Sequence, residues 1–291
     1  MKIEFLKTLD AILRHGTFAR AGAEVGLTAS AVSLQVKRLE EYLGQPLFDR
    51  SARTARPTPF AVELAATMRG ALQAMEDART EQTPTVSGKL VIGTIRTVQS
   101  TNLPLALRYV SDRFTQLTVR VVQGDSVELL QQLQAGQIDA AVLIRPSAGG
   151  SSRLSWRNLE RQPYVFVAPP DSKGLSIEKL LQTYPWIQFD TSLSGGGVAA
   201  KYVARIAPRT RSRFELESVE AIHALVSAGA GVSLLPKLSN PMNAFKPVRQ
   251  IPLGNQAPSR QIAFVCRKPD EENRRIAALR DAFVYAFSPH E

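Results

Sequence analysis

Residues Thr28–Gly44 read T-A-S-A-V-S-L-Q-V-K-R-L-E-E-Y-L-G. Val32, Val36, Leu39 and Leu43 recur at steps of three and four, which marks one face of a helix. Ser30, Ser33, Gln35, Lys37 and Arg38 project elsewhere, and a polar, basic outer surface suits the DNA major groove. Alone, the stretch reads equally well as an ordinary amphipathic surface helix. What precedes it decides between the two. Phe18–Val25 reads as a second short helix with Thr17 as its N-cap. Gly26 stands where the chain must turn sharply, a place where only glycine takes positive φ without strain. Gly22 is small enough to let the two helices approach, and Val32 can plug the crossing. Helix, tight glycine turn, helix is the helix-turn-helix layout, whose second helix reads base edges.

Outward from this core, Lys2–Arg14 keeps helical spacing at Phe5, Leu6, Leu9, Ile12 and Leu13, and is expected to roof the pair. Downstream, Q-P-L-F-D-R-S-A-R-T-A-R-P-T-P (residues 45–59) carries three helix-breaking prolines and reads as a short hairpin wing. Arg50, Arg53 and Arg56 have no acid between them, which suits contact with phosphates rather than bases. Among residues 1–60, nine Lys and Arg stand against six acids, so most of the chain's formal +10 lies beyond the head. The excess favours a polyanionic partner without being a nucleic-acid tail. Only 7% of the 291 residues are aromatic, against an architecture built on stacking platforms. Cys266 is the sole cysteine, in the apolar run Q-I-A-F-V-C-R, and reads as a buried, inert thiol in a reducing compartment. The charged N-terminus is not expected to be a signal peptide, and no run is long enough to span a membrane.

From Thr58 a long helix is expected, with the stripe Ala61, Leu64, Ala65, Met68, Ala71, Leu72 and Met75. A helix this long leaving a small domain is expected to bury its stripe against a second copy of itself. The polar run Glu81–Ser87, with Pro84, ends it. Strand–helix alternation follows. Strands are expected at Leu90–Ile95, Val119–Gln123, Ala140–Ile144, Tyr164–Ala168, Trp186–Phe189, Arg213–Leu216, Gly231–Leu235 and Gln261–Arg267. Helices are expected at Leu103–Phe114, Val127–Ala135, Ile177–Thr183, Val198–Ile206, Val219–Ser227 and Glu271–Phe287. This pattern predicts an α/β unit with mostly parallel sheet.

Phe18–Arg50, and above all S-x-x-V-K-R-L-E-x-x-L-G-x-P-L-F-x-R from Ser33 to Arg50, resembles the N-terminal signature of LysR-type transcriptional regulators. Gly88–Gly93, Gly136–Ala141 and Gly229–Pro236 resemble segments of that family's effector domain. The resemblance implies a winged helix-turn-helix over 1–58, a dimerising linker helix over 59–87, and an effector domain over 88–291. That domain would be a two-lobed α/β unit similar to periplasmic binding proteins, with lobe I at 88–161 and 266–291 and lobe II at 162–265. It implies a cytoplasmic dimer or tetramer on partly palindromic double-stranded DNA, controlled by a small-molecule effector, with room for RNA polymerase as a further partner and no cofactor. The DNA-binding residues would be Thr28, Ser30, Ser33, Gln35, Lys37, Arg38, Arg50, Arg53 and Arg56. The chain departs from the family at Ala29 and Ser30, at Leu34, where a polar residue is usual, and at Pro57–Ala61.

In two-lobed α/β domains ligands sit between the lobes, near strand C-termini and helix N-termini. Arg96, Thr97 and Ser100 follow the first strand, and Thr97 matches by position a family residue that contacts effectors. Asp125 and Ser126 follow the second, with Ser126 the expected helix cap. Arg145 ends the third and is a candidate carboxylate clamp. Ser194 and Gly195 lie in S-L-S-G-G-G (192–197), where the backbone can approach a ligand. The cations and helix starts point to a small organic anion, and Asp125 to an amino acid carrying both signs. His15, His223 and His290 show no metal-ligand spacing, and Ser218, Glu220 and His223 on one helix do not make a triad. The alternative is a two-lobed α/β enzyme or small-molecule binding protein with an accessory DNA-binding head.

Overall fold

The computed structural model describes residues 3–49, 56–80, 86–146, 152–238, 247–254 and 257–288. Its N-terminal unit is α1 (Ile3–His15), α2 (Phe18–Val25) and α3 (Ala29–Leu43), then the two-residue strands β1 (Phe48–Asp49) and β2 (Arg56–Pro57), paired antiparallel. Thr17 caps α2 by accepting from the Arg20 N–H at 3.3 Å, and Thr28 caps α3 by accepting from the Ala31 N–H at 3.2 Å. Between them Gly26 stands at φ 70°. The Leu27 N–H donates to the Gly22 carbonyl at 2.8 Å. A Cβ on Gly22 would lie 2.5 Å from the Leu27 carbonyl oxygen, so the close approach of the turn requires glycine there. Leu6, Leu9 and Ile12 of α1 close over Ala21, Val32, Val36 and Leu39, with Leu47 and Phe48 completing the core. Glu40 fixes the base of the wing by accepting from the Leu47 N–H at 2.8 Å and the Phe48 N–H at 3.2 Å.

Helix α4 (Pro59–Thr80) starts at Thr58, whose hydroxyl accepts from the Ala61 N–H at 3.2 Å. Its stripe is not one continuous seam for a second copy. Ala61 and Ala65 are buried, and Phe60, Leu64, Met68 and Leu72 pack on the head's own core, because α1 lies alongside. Ala71 and Met75 stay exposed and are what the described part of the stripe leaves for a partner.

The rest comprises β3 (Ser87–Thr94), α5 (Arg96–Thr101), α6 (Leu103–Arg113), β4 (Gln116–Gln123), α7 (Ser126–Gln134), β5 (Ala140–Ile144), β6 (Leu154–Ala168), α8 (Ile177–Thr183), β7 (Trp186–Phe189), α9 (Ser194–Ile206), β8 (Ser212–Leu216), α10 (Val219–Ser227), β9 (Ser233–Pro236), β10 (Arg249–Pro252), β11 (Ser259–Arg267) and α11 (Arg274–Phe287). The main sheet runs β10-β6-β11-β5-β3-β4 with β9 also on β6, and β7-β8 stands apart. The expectation of mostly parallel sheet is corrected: β3–β4, β3–β5 and β7–β8 are parallel, while every pairing made by β6 or β11 is antiparallel.

Those two strands join the lobes. The first part of β6, up to Pro163, pairs with β11. From Tyr164 onward it pairs with β9, and from Val165 with β10. On the return, Ile262–Cys266 of β11 already pair with β5. By pairing, β6 passes from one group of strands to the other at 163–164, and β11 takes up β5 from Ile262. Leu90, Ile92, Leu129, Val142, Phe264 and Phe283 centre one lobe's core. Tyr164, Phe166, Trp186 and Leu234 centre one cluster of the other lobe, and Val165, Ile187 and Ile222 its second.

Candidate functional site

Two surfaces gather the predicted residues. On the head, Ser30, Lys37 and Arg38 are exposed on α3, Thr28 is exposed at its cap, and Arg56 is exposed on β2. Ser33 is half-buried on the flank. Gln35 does not project outward: its Oε1 accepts from the Thr8 hydroxyl at 2.6 Å, tying α3 to α1. The side chain expected at the DNA is thus engaged within the head, because it lies on the flank of the stripe that faces α1. Arg50 and Arg53 lie outside the described residues, although β1 and β2 pair on either side of them as a wing requires.

The second surface is a cleft between the lobes with a volume of about 420 Å³. Arg96, Thr97, Asp125 and Ser126 line one wall; Ser194, Gly195, Glu217 and Glu220 line the other. Helices α5, α7, α9 and α10 all begin here. Two of these starts are capped by side chains. Asp125 caps α7 in a reciprocal box with Glu128, so the expected cap Ser126 is corrected. The Ser126 hydroxyl instead accepts from the Ile144 N–H at 3.2 Å. Ser218 caps α10. Helices α5 and α9 have no side-chain cap, so their first N–H groups face the cleft ready for an anion. Gly196 holds the start of α9 against the preceding loop: a Cβ there would lie 1.8 Å from the Asp190 carbonyl oxygen.

The floor is made where β6 and β11 cross, with Arg260 directly opposite Gln162. Arg260 is 4% exposed. Its Nε donates to Gln162 Oε1 at 2.8 Å and its Nη2 to the Thr97 hydroxyl at 3.1 Å. Among the described residues no carboxylate lies within 4.0 Å of the guanidinium. Burial pushes its pKa down, opposed by Tyr164, Glu160 and Glu220, yet a guanidinium keeps its proton in a protein. A buried cation with only neutral partners is costly unless something negative joins it. Burial also raises the pKa of Tyr164, whose hydroxyl donates to the Gly195 carbonyl at 2.8 Å.

A hydrogen bond also joins the two walls. The Ser100 hydroxyl, from α5, donates to Glu220 Oε1 at 2.6 Å, and the Ser218 hydroxyl donates to Glu220 Oε2 at 2.8 Å. Glu217 is exposed at the same rim. The cleft thus carries Arg260 on its floor, Arg96 with the capping pair Asp125 and Glu128 on its first wall, and the carboxylates Glu217 and Glu220 on its second.

Residues 3–62 match the model of the bacterial regulatory helix-turn-helix protein, lysR family, and residues 84–288 match the LysR substrate binding domain. The chain belongs to the LysR family. The HTH-type transcriptional regulator AbaB of Streptomyces antibioticus is 30% identical over 256 residues, covering 81% of this chain and 82% of its own. A hydrogen peroxide-inducible genes activator of Pectobacterium carotovorum is 29% identical over 301 residues, covering 97% and 95%. Full-length LysG from Corynebacterium glutamicum, solved with the effector Arg bound, superposes with a TM-score of 0.71 at 23% identity, covering 99% and 98%, and so shares the fold. The chain is therefore a LysR-type DNA-binding transcriptional regulator with an effector-binding domain, and the alternative of an enzyme with an accessory head does not fit these relatives.

In this LysR-type regulator the cleft collects six of the eight residues expected to bind effector. Ser100 reaches it through Glu220. Arg145 does not: its guanidinium lies over the Trp156 ring and donates to Asn158 Oδ1 at 2.8 Å, away from the cleft lining. The cation that does lie on the cleft floor is Arg260, which sequence reasoning missed together with Gln162, Glu217 and Glu220. Nothing in P-S-R-Q-I-A (258–263) marks Arg260 as special; only the opposed strand register brings it under Thr97. Among the described residues, no helix is long and apolar enough to cross a membrane.

Proposed function

We propose that this regulator works in the cytoplasm and takes a small dipolar effector, an α-amino acid or close analogue, between its lobes. The observation that carries this is Arg260, a buried cation on the cleft floor without a carboxylate partner among the described residues. An effector carboxylate bound there would also face the uncapped start of α9. Its ammonium group would meet Glu217 and Glu220 on the same lobe. Because Glu220 already bonds Ser100 across the cleft, an ammonium there competes with or reinforces that bridge, and so changes how the lobes sit. The division into a head over 1–58, a linker over 59–87 and an effector domain from 88 onward fits this reading. Thr28, Ser30, Ser33, Lys37 and Arg38, with Arg50, Arg53 and Arg56 of the wing, serve DNA contact in a dimer or tetramer on a partly palindromic promoter site, with RNA polymerase as a further partner. The arginine bound by LysG supports the effector class.

Peroxide, named for the Pectobacterium relative, is a poor signal here. A thiol sensor needs an exposed thiolate, and Cys266 is buried in β11 with its pKa pushed up to about 11 by burial and by Asp270 and Glu271.

A thermal-shift screen of the full chain against amino acids, dicarboxylates and polyamines tests the proposal. Amino acids are expected to raise Tm by roughly 5 °C at a hundredfold excess over Kd. The same compounds should change the mobility shift of a selected DNA site, and hydrogen peroxide should leave it unchanged. Stabilisation by polyamines alone, or a peroxide response, would overturn the reading.

A further inference from the structure

Leu34 has no role in the head's core: it neither belongs to the buried cluster nor packs against it, and it is 50% exposed. At about 100° per residue, it lies on the side of α3 opposite the buried Val32, Val36 and Leu39. Ser30 lies one turn before it on this face, and Lys37, Arg38 and Glu41 one to two turns after; all four are exposed. Leu34 is thus the apolar centre of an otherwise polar and charged outward face, in the N-terminal half of the second helix of a helix-turn-helix. That half is the part such folds present to base edges.

We infer that Leu34 is a specificity-determining residue that reads a thymine 5-methyl group, once in each half-site. The major-groove edge of a base pair offers donors, acceptors and one apolar group, the thymine methyl. A leucine pressed against a donor or acceptor would strip its water and return no hydrogen bond. The thymine methyl is the one partner to which it loses nothing. An arginine at this position would select guanine and a glutamine adenine; a leucine selects T by packing and rejects C, which at this edge lacks the methyl and presents an N4 amino donor in place of the O4 acceptor. Ser30, one turn earlier, is placed for the neighbouring base or phosphate, and Lys37 and Arg38 for phosphates or guanine.

The inference rests on α3 being the groove helix. Binding sites are selected from random duplexes with the full-length protein. Each thymine of the selected site is then replaced singly by deoxyuridine, which removes the methyl and keeps the pairing edge, and affinity is read by fluorescence anisotropy. Wild type is expected to lose about fourfold at one thymine per half-site, the effect of one buried methyl-sized group. Leu34→Ala should bind thymine and deoxyuridine sites equally, and Leu34→Gln should move the selected base toward adenine. Both are surface changes, and their melting temperatures should match wild type. Insensitivity of wild type at every thymine, or sensitivity that persists in Leu34→Ala, overturns the assignment. A failed groove-helix reading looks different: no site is enriched at all, and both fall together.

Discussion

Arg260→Met is expected to weaken effector binding by about a hundredfold, the loss of roughly one charge-assisted hydrogen bond, while leaving the effector-free protein at least as stable as wild type. The second half is the less intuitive one. A buried guanidinium carries a desolvation cost of several kcal/mol, which its neutral hydrogen-bond partners and the more distant Glu160 and Glu220 offset only in part. Its removal strands two neutral acceptors, Gln162 Oε1 and the Thr97 hydroxyl, which costs about 1–3 kcal/mol and less where cleft water reaches them. Relief of the desolvation cost outweighs that loss, and methionine fills similar volume. Calorimetry for affinity and thermal melting for stability check both halves. A fall in Tm of many degrees with effector affinity intact would make Arg260 a strut between β6, β11 and α5 rather than an anchor. DNA binding without effector should survive the change, since no residue of the head is involved.

Gly22→Ala is expected to disable the head selectively. Its Cβ would meet the Leu27 carbonyl oxygen at 2.5 Å. That atom is backbone, held by the turn in which Leu27 bonds back to Gly22, so it cannot swing aside as a flexible side chain would. Overpacking of this kind costs about 1–3 kcal/mol, a large share of what a three-helix unit holds. Specific DNA binding should fall by at least tenfold, while effector binding, which depends on residues beyond 86, should be unchanged in calorimetry. Wild-type DNA affinity in the variant would mean that the two helices can separate without harm to the reading helix.

Much of this was legible in the sequence because local rules act over short spans. The head follows from a 3–4 apolar spacing, the Thr17 cap and two glycines, all within about thirty residues, and the structure returns each of them; the Thr28 cap is added by the structure. Ala140–Ile144 was legible as a continuous apolar run, since it is buried on both faces. Leu154–Pro163 was not. It is interrupted by the polar residues Arg157, Asn158, Glu160 and Arg161, so only the fully apolar second half of β6 stood out. Without the first half, the antiparallel pairing of β6 with β11 stayed hidden, and with it the mixed sheet. The edge strand β10, R-Q-I-P, is too short and polar to signal itself.

The cleft was half legible for the same reason. Thr97, Asp125 and Ser194 lie just after strands, where topology puts ligands, and could be nominated from position. Arg260 lies before a strand's apolar core, and its meaning comes from Gln162 and Thr97, far away in sequence. Arg145 follows a strand as a clamp should, but Trp156 and Asn158 of β6, two strands across the sheet, take it first. Gln35 was expected to project outward because helical periodicity gives a face for the core but does not say how far a neighbouring helix wraps around it. The linker stripe shows the limit again: seven apolar positions at regular spacing do not reveal that α1 already covers most of them.

Everything proposed for the cleft depends on its holding a molecule with both signs of charge, the carboxylate on Arg260 and the ammonium toward Glu217 and Glu220. Calorimetric titration of the full chain with the amino acid that stabilises it most puts this to the proof. In parallel the chain is titrated with the corresponding amine, which lacks the carboxylate, and the corresponding acid, which lacks the ammonium. Each analogue is predicted to bind about ten- to a hundredfold more weakly than the amino acid. The Arg260→Met protein should no longer distinguish the amino acid from the amine. An amine that binds wild type as tightly as the amino acid itself would refute the dipolar cleft.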